Sequence, residues 1–159
     1  MQPISLLLVD DEEAFTEVLA RRLGKRGFLV KTAADGLTAV KEVDDDHDIE
    51  VAVLDIAMPG MDGIQTLKAM KRVNPVLEVV MLTGQSTVHT AVESIKLGAY
   101  NYLAKPCKIE DLTAIIEEAA SRRRERAAKI LEVRMRPYIT DDKRKALIDA
   151  ILSGEDPGE

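Results

Sequence analysis

Short apolar runs alternate with amphipathic segments along the first 105 residues of the chain. Near-continuous apolar runs are typical of strands buried on both faces of a sheet, whereas apolar residues at every third or fourth position are typical of helices that cover a sheet. The pattern predicts five strands, at residues 4–9, 28–32, 50–54, 79–82 and 100–104. Because a predicted helix follows each strand, the chain is expected to be an α/β protein.

Five such units favour a doubly wound five-stranded parallel sheet with right-handed crossovers and the flavodoxin-like strand order 2-1-3-4-5. The last helix is expected to run from about Glu110 to about Arg136, since neither Gly nor Pro interrupts it before Pro137. Thr140 is expected to cap a further short helix. The sequence therefore predicts one domain at residues 1–120, a C-terminal helical extension at 121–152 and a disordered tail at 153–159.

Composition excludes several classes of protein. Hydrophobic residues make up 46% of the chain but aromatic residues only 3%, which predicts an aliphatic core and argues against binding of nucleic acid by base stacking. No apolar run approaches the length of about 18 residues that a membrane-spanning helix needs, and no signal-peptide layout is present, so a cytoplasmic location without membrane contact is expected. The single cysteine, Cys107, allows neither an internal disulfide nor a cysteine metal cluster.

Charge is distributed unevenly along the chain. The net charge is −8 for residues 1–120, +6 for 121–145 and −4 for 146–159. The basic segment contains the run RRRER at 122–126, which suggests a solvated helix or a docking surface. A basic footprint is also needed for DNA binding, but no recognition motif accompanies it, so nucleic acid is not the favoured partner.

Four predicted strands end at polar residues, namely Asp10 with Asp11, Asp55, Thr83 and Lys105. Because the carboxyl ends of parallel strands meet at one edge of a sheet, these side chains are expected to converge in one crevice. Carboxylates about 4 Å apart repel by roughly 4 kcal/mol per pair at an effective dielectric constant of about 20, so three of them favour a bound cation. Oxygen ligands alone point to Mg²⁺, for which Mn²⁺ could substitute.

A carboxylate beside such an ion can itself attack phosphorus. The developing charge on the phosphoryl oxygens would be met by the cation, by the Lys105 ammonium and by the Thr83 hydroxyl. The site therefore suits a phosphoryl group as well as a metal ion.

In these residues the chain resembles the receiver domains of two-component response regulators, from about Leu6 to about Ala120. The acidic pair lies in VDDE at 9–12, and the segment LDIAMPGMDG at 54–63 is similar to the family's phosphoacceptor strand and loop. Thr83-Gly84 and the segment YLAKP at 102–106 look like the switch hydroxyl with its small neighbour, the aromatic switch residue and the lysine-proline pair. Residues 88–100 resemble receivers of the NtrC type in particular.

The resemblance implies that Asp55 accepts a phosphoryl group from a sensor histidine kinase or a phosphotransfer protein. Asp11 would bind Mg²⁺ directly and Asp10 mostly through water, with Asp55 and the Ala57 carbonyl as further ligands. Thr83 and Lys105 would contact the phosphoryl oxygens. As Thr83 moves, Tyr102 would turn inward and so signal to a downstream protein target, and the bond before Pro106 would be cis. Such a receiver catalyses only its own phosphorylation and dephosphorylation and is not otherwise an enzyme.

Each of these residues taken alone has an ordinary structural role, such as a helix cap for Asp10 or Thr83 and a solvated charge for Lys105. Their occurrence at successive strand ends favours the receiver. A phosphohydrolase with an aspartyl-phosphate intermediate is the first alternative, although its common pattern places two Asp residues two positions apart. A pseudo-receiver that only binds partners, and a transcription factor that acts through its basic C-terminal helices, are the others.

The apolar residues beyond the predicted domain need a partner. They are Ala127, Ile130, Leu131 and Met135 on the last long helix. Burial of a Leu, Ile or Met side chain contributes roughly 1.5 to 3 kcal/mol, so these residues could support a homodimer. Folding back of residues 146–152 would instead bury them within one chain.

Overall fold

The structure is a computed structural model and describes residues 2–58, 60–84 and 88–154. The described residues form five strands and six helices. In chain order they are β1 Ser5–Val9, α1 Glu13–Lys25, β2 Leu29–Ala33, α2 Gly36–Asp45, β3 Val51–Asp55, α3 Gly63–Val73, β4 Glu78–Thr83, α4 Val88–Lys96, β5 Asn101–Ala104, α5 Ile109–Met135 and α6 Asp141–Ser153.

The five strands form one parallel sheet in the order β2-β1-β3-β4-β5, which confirms the predicted topology. The strand bounds differ from the prediction by about one residue. In the register, Asp55 of β3 lies opposite Leu82 of β4, and Thr83 lies opposite Ala104 of β5. The polar ends of the central strands therefore lie at one level of the carboxyl edge.

Alternate strand residues point to opposite faces of the sheet, and each face carries its own core. On one face Ala52 and Leu54 of β3 pack with apolar residues of α2 and α3. On the other face Val51 and Val53 pack with α1 and α5. A strand that is covered on both faces must be apolar throughout, which explains the continuous apolar runs in the sequence.

The loop between β3 and α3 is fixed at the end that enters the helix. Asp62 accepts a hydrogen bond from the Gln65 N–H at 2.8 Å, and the Gln65 side chain accepts one from the Asp62 N–H, which completes a capping box. At Gly63 a Cβ atom would come within 2.5 Å of the Asp55 carbonyl oxygen, so only glycine fits. The helix start is thereby held directly beneath the end of β3.

Helix α5 continues far beyond the domain that it covers, and α6 folds back against it. Ile130 and Val133 of α5 are buried with Ile151 of α6, which is the predicted fold-back arrangement. Leu131 and Met135 remain 58% and 74% exposed. The helical hairpin therefore satisfies only part of the apolar set within the chain.

Two arginines join the helices of this hairpin at their ends. Arg144 of α6 donates to the carbonyl oxygens of Val133, Arg134 and Arg136, at 2.6, 2.9 and 3.1 Å. In return, Arg126 of α5 donates to the Leu152 carbonyl oxygen of α6. Each helix thus supplies arginine donors to carbonyl groups at the C-terminal end of the other helix.

The run RRRER, interpreted from sequence as a solvated helix or docking surface, is largely engaged within the chain. Arg126 is buried and forms an ion pair with Glu78 at the start of β4. Arg124 forms a two-pronged pair with Glu50, just before β3, at 2.9 and 3.1 Å. Arg123 donates to the His47 carbonyl oxygen at 2.9 Å. These arginines therefore attach α5 to the amino-terminal edge of the sheet.

Helix α6 extends to the first residue of the predicted tail. Ser153 is the last residue of α6, and Gly154 caps it in the left-handed conformation with φ of 81°. Both had been assigned to the disordered tail from sequence, and residues 155–159 lie outside the described residues. Among the described helices, none is long and apolar enough to cross a membrane.

Candidate functional site

The carboxyl edge of the sheet brings together most of the residues that the sequence singled out. Asp10 and Asp11 follow β1, Asp55 and Thr83 are the last residues of β3 and β4, and Lys105 follows β5. Asp10, Asp55 and Thr83 are buried, whereas Asp11 is exposed. The crevice thus opens to solvent beside Asp11.

Three carboxylates form a compact group in this crevice. Each of Asp10, Asp11 and Asp55 offers an oxygen atom, and these atoms lie within 4.8 Å of one another. Among the described residues this is the one group of three acids, histidines or cysteines spaced to share a metal ion. His47 and His89, the two histidines of the chain, do not belong to this group.

Two of the carboxylates are held by backbone N–H groups two residues further along the chain. Asp10 accepts a hydrogen bond from Glu12 at 2.9 Å, and Asp55 accepts one from Ala57 at 3.3 Å. Both contacts use the turn that directly follows the strand. They orient the Oδ1 atom of each acid, and the Oδ2 atoms face Lys105.

The ammonium group of Lys105 lies among the acids. Its Nζ is 2.6 Å from the Asp10 Oδ2, 3.8 Å from the Asp55 Oδ2 and 4.0 Å from a Glu12 carboxylate oxygen. The ring of Phe15 lies on another side, with its centroid 4.3 Å from Nζ. The sequence analysis assigned neither Glu12 nor Phe15 a role in the site. In the case of Phe15, its apolar spacing indicates only a core residue.

Opposing effects act on the pKa values of Asp55 and Lys105. Burial and the neighbouring charge of Asp10 raise the pKa of Asp55, while Lys105 and the Ala57 N–H act in the opposite direction. Burial lowers the pKa of Lys105, but its hydrogen bond to Asp10 and the surrounding carboxylates outweigh burial and raise it overall. The site therefore favours the charged form of Lys105 and disfavours the ionised form of Asp55 relative to water.

Thr83 and Tyr102 occupy different environments on neighbouring strands. Thr83 is buried at the end of β4, and its carbonyl oxygen accepts a hydrogen bond from the Lys105 N–H at 2.6 Å. Tyr102 in β5 is 39% exposed. The Lys105–Pro106 peptide bond is cis. Pro59 and residues 85–87, which border these motifs, lie outside the described residues.

Comparison with known proteins decides the family. Residues 6–117 match the response regulator receiver domain. The chain belongs to that family. The match ends within α5, so the C-terminal part of that helix and all of α6 lie beyond it.

A transcriptional regulator is among the curated relatives. The transcriptional regulatory protein ZraR of Escherichia coli strain K12 is 38% identical over 116 residues, which cover 73% of this chain and 26% of ZraR. This chain therefore spans about a quarter of the length of that curated relative.

Solved receivers have the same architecture. The beryllofluoride-activated NtrC4 receiver domain dimer is 35% identical with a TM-score of 0.70, and the comparison covers 75% of this chain and 98% of that one. The receiver domain of NtrX from Brucella abortus is 34% identical with a TM-score of 0.68, over 73% and 98% of the two chains. The NtrC-type resemblance found in the sequence is confirmed.

Proposed function

We propose that this receiver is the phosphoacceptor switch of a two-component system and that Asp55 is the residue phosphorylated. The observation that carries the proposal is the position of the Asp55 carboxylate. It is buried at a strand end, within 4.8 Å of two other carboxylates and 3.8 Å from a lysine ammonium group. The Asp55 carboxylate therefore has the Lys105 ammonium group as one cationic partner. The open side of the crevice, beside Asp11, leaves room for a metal ion as a second one.

The carboxylates fit a divalent cation. Asp10, Asp11 and Asp55 supply oxygen atoms only, and the exposure of Asp11 leaves one side of the group open to water. Mg²⁺ retains several waters and takes few protein ligands, so this set suits it, with the Ala57 carbonyl as a further ligand. When bound, the ion would neutralise charge on the acids and on the phosphoryl oxygens.

In the transfer, an oxygen of ionised Asp55 attacks the phosphorus of a phosphohistidine in a sensor kinase or phosphotransfer protein. The bond between phosphorus and the donor nitrogen breaks, and the imidazole leaves with the electron pair. The Lys105 ammonium is 3.8 Å from the attacking group and meets the charge on the transferred phosphoryl oxygens. Water later attacks the phosphorus of the acyl phosphate, the bond between phosphorus and the Asp55 oxygen breaks, and inorganic phosphate leaves. The domain thus catalyses only the phosphorylation and dephosphorylation of its own side chain.

We propose that the Thr83 hydroxyl responds to phosphorylation of Asp55. Thr83 lies one residue beyond Leu82, the register neighbour of Asp55, and its backbone bonds to Lys105. Tyr102 lies on the adjoining strand and is exposed enough to change its position. We propose that movement of Thr83 toward the phosphoryl group lets Tyr102 turn inward and alters the surface that a downstream protein binds.

Direct DNA binding through the basic helices is the weaker candidate. Arg124 and Arg126 are paired with Glu50 and Glu78, so much of the positive charge of the run RRRER is neutralised within the chain. Self-association through the same helix rests on Leu131 and Met135 alone, because α6 covers Ile130. A protein target, reached through the receiver surface, is the better supported partner.

Labelling with a small phosphodonor tests the proposal. With phosphoramidate and Mg²⁺, the intact mass should rise by one phosphoryl group, and Asp55→Asn should abolish the rise. The matched control is Asp62→Asn, because Asp62 lies in the same loop and asparagine caps a helix as well as aspartate does. Undiminished labelling of Asp55→Asn would overturn the assignment of the acceptor.

A further inference from the structure

The ring of Phe15 is the uncharged neighbour of the Lys105 ammonium group. Its centroid lies 4.3 Å from Nζ, well within the range of about 6 Å over which an aromatic face attracts a cation. The described charged groups within 4.0 Å of the same nitrogen are the carboxylates of Asp10, Glu12 and Asp55. The Lys105 ammonium group therefore lies among three carboxylates and the face of one aromatic ring.

The local fold holds this ring in place. Phe15 lies in the first turn of α1, and Thr16 beside it donates its hydroxyl to the Glu12 carbonyl oxygen at 3.0 Å. The ring borders the small space next to Asp10 and Asp55, and it also borders an apolar pocket that includes Cys107 and Leu112. Its position is therefore set by the core rather than by the ion pair.

The acids around Lys105 have competing uses. In this structure Asp10 makes the shortest contact with the ammonium group, but Asp10 also belongs to the group of carboxylates that fits a divalent cation. A divalent cation bound to Asp10 would compete with Lys105 for that carboxylate. The face of Phe15 offers no oxygen ligand, so Mg²⁺ would bind the acids rather than the ring, and the ring would remain available to Lys105.

We infer that Phe15 is a positioning residue for the phosphoryl transfer. Its aromatic face keeps the Lys105 ammonium group beside Asp55 when Asp10 turns to the metal ion. The inference rests on the proposed function, in that it assigns a role in the same reaction. Lys105 touches the reacting group, and Phe15 acts through Lys105.

The test changes the charge distribution of the ring without changing its shape. Site-specific replacement of Phe15 by phenylalanines with one, two and three ring fluorines weakens the negative face in steps. Attraction at this kind of site corresponds to a factor of about two to five, so the rate of labelling by phosphoramidate with Mg²⁺ should fall progressively by about that factor. Phe28 is buried in the same core cluster and serves as the matched control, since the same fluorinated residues there should leave the rate unchanged.

A second measurement does not depend on phosphorylation. Protons that lie over an aromatic face resonate upfield, so the Lys105 ε-methylene signals should lie upfield of those of the other lysines and should lose that shift in Phe15→Leu. If Asp55 is labelled but the rate is the same across the fluorinated series, or if the Lys105 signals show no upfield shift, the positioning role is overturned. If the shift is present but Asp55 is never labelled, the proposed function fails and the positioning role fails with it, while the contact itself stands.

Discussion

Arg126 and Glu78 form an ion pair beneath the amino-terminal edge of the sheet, where the two residues are 7% and 1% exposed. Glu78 opens β4, whose other end carries Thr83, and Arg126 lies on α5 beyond the family match. The same arginine donates to the last turn of α6. One guanidinium group therefore connects the receiver sheet to both helices of the C-terminal hairpin.

Removal of this arginine should destabilise the whole chain. Arg126→Met leaves the Glu78 carboxylate buried without its closest partner, and loss of one member of a buried pair costs about 3 to 5 kcal/mol. Urea unfolding should report this loss in the free energy of unfolding. Lys129→Met is the control, because Lys129 pairs with Glu125 on the exposed face and such pairs contribute about 0.5 kcal/mol. Equal stability of the two variants would contradict the structural role of the pair.

Stability in the absence of metal should depend on Asp55 and on pH. The folded-state pKa of Asp55 is raised by burial and by Asp10, so the protonated form favours folding. That contribution is fully present below the ordinary pKa of aspartate and is lost as pH rises through the folded pKa. Asp55→Asn should therefore melt at a higher temperature than the wild type near neutral pH, and the difference should vanish in acid. A difference that grows on acidification would contradict the sign of the shift.

Loss of the Asp55 proton, which lowers the stability of the fold, should increase the rate at which phosphoramidate labels Asp55 in metal-free buffer. Only the ionised carboxylate is a nucleophile, so the rate should increase with pH through the raised pKa. Saturating Mg²⁺ should move this rise to lower pH, because the ion favours the ionised form. Initial rates from intact mass at several pH values, with and without Mg²⁺, measure both effects. If the pH dependence of the labelling rate did not change on addition of Mg²⁺, the ion would not bind beside Asp55.

Mg²⁺ should also raise the melting temperature of the unphosphorylated protein. A ligand at a hundred times its dissociation constant stabilises the folded state by about 2.7 kcal/mol. Asp11→Ala should remove most of this effect, because Asp11 is the exposed member of the carboxylate group. The control Asp48→Ala changes an exposed acid outside that group and should retain it. Similar shifts in wild type and Asp11→Ala would locate the ion elsewhere.

Loss of the Thr83 hydroxyl should separate phosphorylation from signalling. Thr83→Ala retains Asp55 and Lys105 and should still be labelled. The resonances of Tyr102 and of α4 should respond less than in wild type when a beryllofluoride mimic is added. A full response in Thr83→Ala would remove the hydroxyl from the switch.

The sheet and the group of acids were predictable because local rules determine them. Continuous apolar runs give the buried strands, and a parallel sheet must bring the residues after Val9, Leu54 and Ala104 to one edge. The motif after Asp55 was also local, since the packing of Gly63 against that strand end admits no side chain.

The attachment of the extension was not predictable in the same way. Arg124 and Glu50 are 74 residues apart in the chain, and Arg126 and Glu78 are 48 apart. A run of arginines looks the same whether its partners are water, nucleic acid or distant carboxylates. The contact of Phe15 with Lys105 was not predictable for a related reason, because apolar periodicity indicates that a ring packs against the core but not which cation lies over its face.

Helix α5 also has a mechanical consequence. It contains 27 residues, which at a rise of about 1.5 Å per residue make a rod of about 40 Å. The rod begins four residues after Lys105, and the arginines that attach it to the opposite edge of the sheet lie near its middle. Such a rod turns about its point of attachment as a lever, so a tilt at the phosphorylation edge would move α6 in the opposite direction. Because the arm of α5 beyond the attachment is no longer than the arm before it, the hairpin would carry a displacement beside the acids to the far end of the molecule with its direction reversed and without amplification.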